Sequence, residues 1–374
     1  MGIAEKLNVG IVGAAGRGGS FRVAFEAHET ARIHAVCDMR EEELYAAAER
    51  LGASEKYADY ETMLARSELD AVVIGTPMHF HAQQAIEALH RNIHVLSEVT
   101  AGVSVEECRA LVHAATSSKA IYMMAENYTY TRPNVLVKEL VRRNLFGDVY
   151  YGEGEYLHEL KALNEITKWR RKWQTGIDGV TYCTHSLGPL LQWMPGDRVV
   201  RVCCAGSGHH YTDPRGDQYE NQDSCVMLCQ MASGGLVKIR VDMLSERPHA
   251  TGNFQLQGTK GCYESARERG GVNRVWLADI CDEKNEWIDL TDLEEDYLPD
   301  MWRNPSEAAL KAGHGGGDYF EIMDFIQSIN GEIACPIGIH EAMDMTLPGL
   351  ISQQSIVQDG AWLYVPDSRS WLEE

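Results

Sequence analysis

The chain has 374 residues, 34 Lys and Arg against 55 Asp and Glu for a net charge of −21, and 44% apolar residues. That length suits one large or two medium domains, and so acidic a chain repels phosphate backbones and anionic lipid. No nucleic-acid partner and no membrane association is expected, since the longest basic cluster is Lys168-Trp169-Arg170-Arg171-Lys172 and no apolar run approaches the roughly 18 residues of a bilayer span. The N-terminus enters an apolar strand pattern without signal-peptide features, and Cys183, Cys203, Cys204, Cys225 and Cys229 lie in apolar segments. Both features read as a reduced, cytoplasmic protein.

In chain order, short β-branched runs at 9–12, 33–37, 71–74, 93–96 and 121–124 alternate with helical patterns at 41–51, 82–90 and 105–117. This alternation predicts a parallel sheet with helices on both faces. A further helix is expected near 134–145. Strands then follow at 149–157, 199–204, 224–231, 236–243, 253–257, 272–280 and 286–290, several joined by tight Gly-rich turns such as Ala232-Ser233-Gly234-Gly235 and Gly258-Thr259-Lys260-Gly261. Such joints imply antiparallel hairpins. Helices at 319–330 and 340–358 and a last apolar run at 362–365 end the chain. The expectation is an α/β Rossmann domain over 1–130 and an α+β domain with a large open, mainly antiparallel sheet over 131–374. The open face of that sheet would leave apolar surface bare, which predicts a homo-oligomer, dimer or tetramer.

After the first strand comes Gly13-Ala14-Ala15-Gly16-Arg17-Gly18-Gly19, leading into a helix from about Ser20. Glycines at such a turn let the backbone bend sharply and let a pyrophosphate approach the helix N-terminus. The usual G-x-G-x-x-G pattern falls on Gly13, Ala15 and Gly18, with Gly16 and Arg17 between. Asp38 ends the second strand, where an acidic side chain accepts from ribose hydroxyls and repels a 2′-phosphate. NAD is the expected cofactor, and nearby Arg40 leaves NADP open. Glu98 and Asn127, at strand ends, face the same crevice.

The stretch Thr76-Pro77-Met78-His79-Phe80-His81-Ala82, with Asn92-Ile93-His94-Val95-Leu96-Ser97-Glu98, resembles the Gfo/Idh/MocA oxidoreductases, and the similarity runs on through 179–193 and 340–355. The resemblance implies a Rossmann domain, an open-faced substrate sheet and a nicotinamide cofactor. It also places Thr76, Pro77, His79 and His81 on the cofactor side. Where most of the family has Glu-Lys-Pro, this chain reads Glu98-Val99-Thr100. The family's Asp four residues before its active-site His falls on Thr181, while the His is kept as His185. Valine can neither donate nor accept a proton.

These departures are similar to a narrower group, the NAD-dependent glycoside hydrolases typified by family 109 α-N-acetylgalactosaminidases. The shared segments are Glu98-Val99, Glu126-Asn127 with Tyr130, Gly152 to His158, Tyr182 to Pro189, and Gly313 to Tyr319. Proline is usual in that group where Thr100 and Cys183 stand, and Met where Gly317 stands. The resemblance implies transient oxidation at sugar C3, deprotonation at C2, elimination of the aglycone, water addition and return of hydride, giving net hydrolysis without the usual carboxylate pair. It assigns proton transfer to His185 and Tyr182, with Tyr156 and His158 on one side of the neighbouring strand. Glu126 would orient the sugar or nicotinamide ribose, and His314 would sit on a glycine-rich closing loop.

Two alternatives stay open. One is a sugar, glycoside or polyol dehydrogenase with net NADH formation; the other is a non-enzymatic nucleotide-sensing regulator. Trp169, Trp173 and Trp302 are candidates for stacking on sugar rings. No metal is expected, because His79, His81, His209 and His210 have no Cys or carboxylate at ligand spacing.

Overall fold

The computed structural model describes residues 6–248, 250–268 and 270–372. The chain divides into two compact units. One holds residues up to Tyr130, Pro305–Met343 and the stretch from Ser368; the other holds Thr131–Asn304 and Asp344–Asp367. The expected second domain ran unbroken from 131 to the end, so the chain departs from that division by returning to the first unit twice.

In the first unit, strands β1 (Leu7–Val12), β2 (Ala31–Cys37), β3 (Glu55–Tyr57), β4 (Ala71–Ile74), β5 (His94–Glu98) and β6 (Tyr122–Ala125) form a parallel sheet in the order β3-β2-β1-β4-β5-β6. Strands β4 and β6 are buried at every residue, as expected of a sheet covered on both faces. Helix Glu41–Leu51 begins with three glutamates and ends on Gly52 in the left-handed conformation, and helix Val105–Ser117 is capped by Ser104, whose hydroxyl accepts from Glu107 N. After β1 the chain makes a 3-10 turn, Arg17–Phe21, and only then the five-residue helix Arg22–Glu26. The expected helix is thus later and shorter. Helix Gly317–Ile329 packs on the Asn127–Tyr130 turn and on helix Arg22–Glu26, and Met124 N donates to Ile337 O. These contacts make 305–343 part of this unit.

The second unit carries β7 (Val149–Leu157), β8 (Val199–Gly206), β9 (Ser224–Met231), β10 (Leu236–Asp242), β11 (Ala250–Gly258), β12 (Gly261–Glu264), β13 (Arg274–Leu277), β14 (Ile288–Asp289) and β15 (Leu363–Tyr364). Their order is β14-β13-β12-β11-β7-β10-β9-β8-β15, antiparallel throughout except for β7 beside β10. Helix Thr184–Gln192 lies on one face, where glycines make room: a Cβ on Gly154 would stand 2.1 Å from Ser186 O. Helix Ile339–Val357, which crosses the unit boundary, is tied to this unit by Ser352 Oγ and Ser355 Oγ, which accept from Val180 N and Cys204 N.

The opposite face is less apolar than expected. Lys238 pairs with Glu153, Arg240 reaches Glu155 and Asp242, and Arg267 donates to Glu155 at 2.6 Å. Among the described residues no helix is long and apolar enough to cross a membrane. The basic cluster at 168–172 is occupied internally: Arg171 pairs with Asp213 and Glu220, while Arg170 and Lys172 stack on Trp169 and Trp173.

Candidate active site

The order of the first sheet reverses between β1 and β4, the position where open α/β sheets bind ligands beyond their carboxyl ends. Two loops meet there. Gly13 has φ +77°, and a Cβ on it would lie 2.5 Å from Gly75 O; a Cβ on Gly75 would lie 2.3 Å from Gly18 N. Only glycine permits this approach. Gly16 N closes the turn on Gly13 O at 3.0 Å, and a Cβ there would meet nothing closer than 3.6 Å.

Asp38 ties the loop to β2. Its carboxylate accepts from Ala15 N at 3.0 Å, from Arg40 N at 3.1 Å and from the Arg40 guanidinium at 3.0 and 3.2 Å. Burial works against its charge, but these donors outweigh it and hold the acid below its ordinary range.

Arg17 does not extend from the loop as a free phosphate ligand. Its Nε donates to Glu98 Oε1 at 2.5 Å, and its Nη atoms donate to Asp318 at 2.8 and 3.1 Å. Burial opposes its charge too, yet Glu98 and then Asp318 raise its pKa. Asp318 Oδ1 also lies 2.8 Å from His314 Nδ1, and His314 Nε2 lies 3.2 Å from Asn127 Nδ2. Arg17, Glu98, Asn127 and His314, expected from sequence, are therefore brought together by Asp318, which was not. Glu321, one turn along the same helix, is fully buried. The available signal was the i, i+4 spacing of His314 and Asp318, obscured by four glycines between and before them.

Other sequence candidates have different surroundings. His81 is buried and joins two backbone carbonyls, Thr76 O at 2.8 Å and Thr100 O at 2.9 Å, so its imidazole is a tie between loops rather than a cofactor ligand. Thr76 donates to Gln84 Oε1 at 2.6 Å, next to Pro77, and the His79 ring packs against Phe80. Glu126 is fully buried, its Oε1 accepting from Tyr128 N, and so organises the turn after β6.

In the second unit four rings converge. The Tyr156 ring centroid lies 5.1 Å from that of His185 and 5.6 Å from that of Tyr182, Tyr182 meets His185 edge-on at 5.2 Å, and the Tyr156 hydroxyl lies 2.8 Å from His158 Nδ1. Tyr156 shares its face of β7 with Gly152 and Gly154, the side on which helix Thr184–Gln192 packs, which is why they meet. The hydroxyls of Thr181 and Thr184 are buried beside this turn without a hydrogen-bond partner among the described residues. Trp302 is buried, its carbonyl accepting from Arg132, so it offers no ring to a sugar. Val99 is buried as well. Among the described residues no group of three or more His, Cys, Asp or Glu side chains is placed to hold a metal.

The sheet order, the glycine approach and Asp38 define an NAD-binding oxidoreductase fold, and residues 7–126 match the oxidoreductase family with an NAD-binding Rossmann fold. The buried Asn127 Oδ1, without a hydrogen-bond partner among the described residues, adds a polar atom suited to such a cofactor. Residues 130–371 match the C-terminal domain of glycosyl hydrolase 109. The chain belongs to the glycosyl hydrolase 109 family and is an NAD-dependent enzyme. It is 30% identical over 400 aligned positions to a glycosyl hydrolase family 109 protein of Saccharopolyspora erythraea, covering 98% of this chain and 85% of that one. It is 27% identical to an α-N-acetylgalactosaminidase of Shewanella oneidensis, covering 97% and 85%. Among solved structures, levoglucosan dehydrogenase in complex with NADH and levoglucosan shares the fold with a TM-score of 0.81 at 21% identity, over 97% of this chain and 100% of the other. The WlbA dehydrogenase of Bordetella pertussis, in complex with NADH and UDP-GlcNAcA, gives 0.74 at 23% identity, over 97% and 98%.

Proposed function

We propose that this enzyme hydrolyses glycosides by transient oxidation of the sugar, and that Tyr156, His158, Tyr182 and His185 move the protons. Bound NAD supplies a reversible two-electron oxidation at C3. Gly13, Gly18 and Asp38 would hold the cofactor, and the unpartnered Asn127 oxygen would be available to it. Once C3 is a ketone, the C2 proton is acidic because the carbanion delocalises onto the carbonyl oxygen. Tyr182 and His185 take up the protons released at O3 and C2, the C1–oxygen bond breaks with one of these protons passing to the departing aglycone oxygen and the other kept for return to O3, and Tyr156 with His158 belongs to the same proton pool. Water adds at C1, a proton returns to C2, and reduction at C3 restores the sugar. The cycle therefore consumes one water and no net reductant. The observation that carries this reading is the convergence of four titratable rings in a chain whose lysine position is Val99. A residue whose pKa lies near working pH serves such steps best, and His is the side chain closest to it.

The test is a screen of α- and β-nitrophenyl glycosides, with and without added NAD. Nitrophenol release without accumulating NADH, with exchange of the C2 proton into deuterated solvent, is expected. NADH accumulating with the glycosidic bond intact would instead establish a dehydrogenase. His185→Ala should lower turnover by about 10²–10⁴-fold, and full turnover in that variant would remove His185 from the role.

The same reading includes a cytoplasmic setting, supported by thiols such as Cys225 and Cys229 buried in apolar strand β9, and a homo-oligomer. The bare face of the second sheet carries exposed Val226, Leu236 and Trp287 alongside its ion pairs. That mixture suits a self-complementary surface.

A further inference from the structure

The Gly313–Gly317 turn holds His314 in an unusual backbone conformation. His314 has φ +55°, followed by Gly315 at +68° and Gly316 at +99°. A left-handed conformation is strained for a residue with a Cβ, and strain of this kind persists only where surrounding contacts fix it. Here the contacts are side-chain ones. Asp318 Oδ1 lies 2.8 Å from His314 Nδ1, and Asn127 Nδ2 lies 3.2 Å from Nε2. Gly313 makes room for the carboxylate, since a Cβ there would stand 2.3 Å from Asp318 Oδ2. Asp318 is itself clamped by both Nη atoms of Arg17, which is anchored through Nε to Glu98.

We propose that Asp318 is the positioning residue for His314: clamped by Arg17, it fixes the ring as the Nδ1–H tautomer and leaves Nε2 as the unprotonated, basic nitrogen, met by the Asn127 amide. This rests on the reading that His314 belongs to the active site. The partners determine the tautomer. A bare Nδ1 facing a carboxylate oxygen would set two lone pairs against each other, so Nδ1 carries the proton. Nε2 of a neutral ring is then an acceptor, matched by the Asn127 amide donor. The other charged or titratable groups around Asp318 keep it anionic: Arg17 and His314 hold its acid down to about 2 against the effect of burial. Burial pushes the acid of Glu321 beside it upward, which disfavours a second carboxylate charge next to Asp318. A carboxylate orienting a histidine through Nδ1 is a recurrent way to expose a basic Nε2.

The decisive measurement is a long-range proton–nitrogen NMR correlation on the nitrogen-15-labelled full chain at about pH 8, where an unperturbed His is neutral. The His314 signals are identified by their loss in His314→Gln. An Nδ1–H ring is expected in the unaltered protein, changing to Nε2–H in Asp318→Asn, whose amide nitrogen would face Nδ1. The same variant should lose about 10²–10⁴-fold in kcat, with KM for the glycoside changed by less than about threefold. An Nε2–H ring in the unaltered protein, a ring protonated on both nitrogens, or an unchanged tautomer in Asp318→Asn would overturn the proposal. The unaltered protein decides the matter even where the variant fails to fold. Should the tautomer be as expected while His314→Gln keeps full turnover, the positioning role stands and the assignment of His314 to catalysis falls.

Discussion

Glu321 sits fully buried on helix Gly317–Ile329, and neither of its carboxyl oxygens has a hydrogen-bond partner among the described residues. Burial, then the charges of Asp318 and Glu98, push its acid well above the ordinary range despite nearby Arg17. A folded pKa raised this way gives stability that is fully present below the unfolded value near 4.5 and is lost as pH rises through the folded value. Glu321→Gln removes that dependence. Its melting temperature should therefore gain on the parent as pH rises from about 5 to 8, by about 2–4 °C for each kcal/mol recovered. Calorimetry across that range checks it, and a difference that does not vary with pH would mean that Glu321 is not held protonated. At this scale the sequence discloses what is local. Gly13, Gly18 and Asp38 are legible because a tight turn and a strand end impose them. The partner of Arg17 lies 301 residues away, and the carbonyl ties of His81 depend on loop geometry that no spacing encodes.

Strand β7 shows how one element positions the ring cluster. Its glycines at 152 and 154 leave a groove for helix Thr184–Gln192, and that seat sets His185 against Tyr156. Gly154→Ala would drive a methyl group into the Ser186 carbonyl, costing about 1–3 kcal/mol. We expect a lower urea midpoint and reduced glycoside turnover, with NADH affinity, titrated by fluorescence, unchanged; an unshifted midpoint would mean that the helix is not seated by these glycines. Elements with strong local signals fell where the pattern put them. Helices Glu41–Leu51 and Val105–Ser117 have capped ends, and the turns at 232–235 and 258–261 do join antiparallel strands. The strand expected at 272–280 is only Arg274–Leu277, because Asn273 turns its side chain to Ala266 N and Cys281 Sγ accepts from Leu277 N. Short helices such as Lys161–Ile166 offer too few turns for a period to show. The parallel pairing of β7 with β10 is a long-range choice that no hairpin signal announces.

Taken whole, the molecule carries a net charge of −21 and a sheet face on which ion pairs alternate with exposed Val226, Leu236 and Trp287. Light scattering at micromolar concentration should give a dimer or tetramer, and a monodisperse monomer would refute self-association. Raising salt should weaken the assembly only modestly if the apolar residues dominate the contact. The class of each half was legible from strand order and turn chemistry. The division of the chain was not: Asp318 and the helix that carries it follow 174 residues of the other unit, Thr131–Asn304, and are recruited by contacts with Arg17 and the Asn127–Tyr130 turn.

That threading has a consequence during synthesis. At roughly 5–20 residues per second, a ribosome takes on the order of 10–35 s to pass from Tyr130 to Pro305. Through that interval the nascent Rossmann sheet has no Asp318 for Arg17, and a surface later covered by helix Gly317–Ile329 stays open. The intervening unit, made next, also waits, for the strand and helix segments after Asp344. Each half is thus finished by segments in the last fifth or so of the chain, from Pro305 onward, which makes those segments the timing element for folding of the whole enzyme.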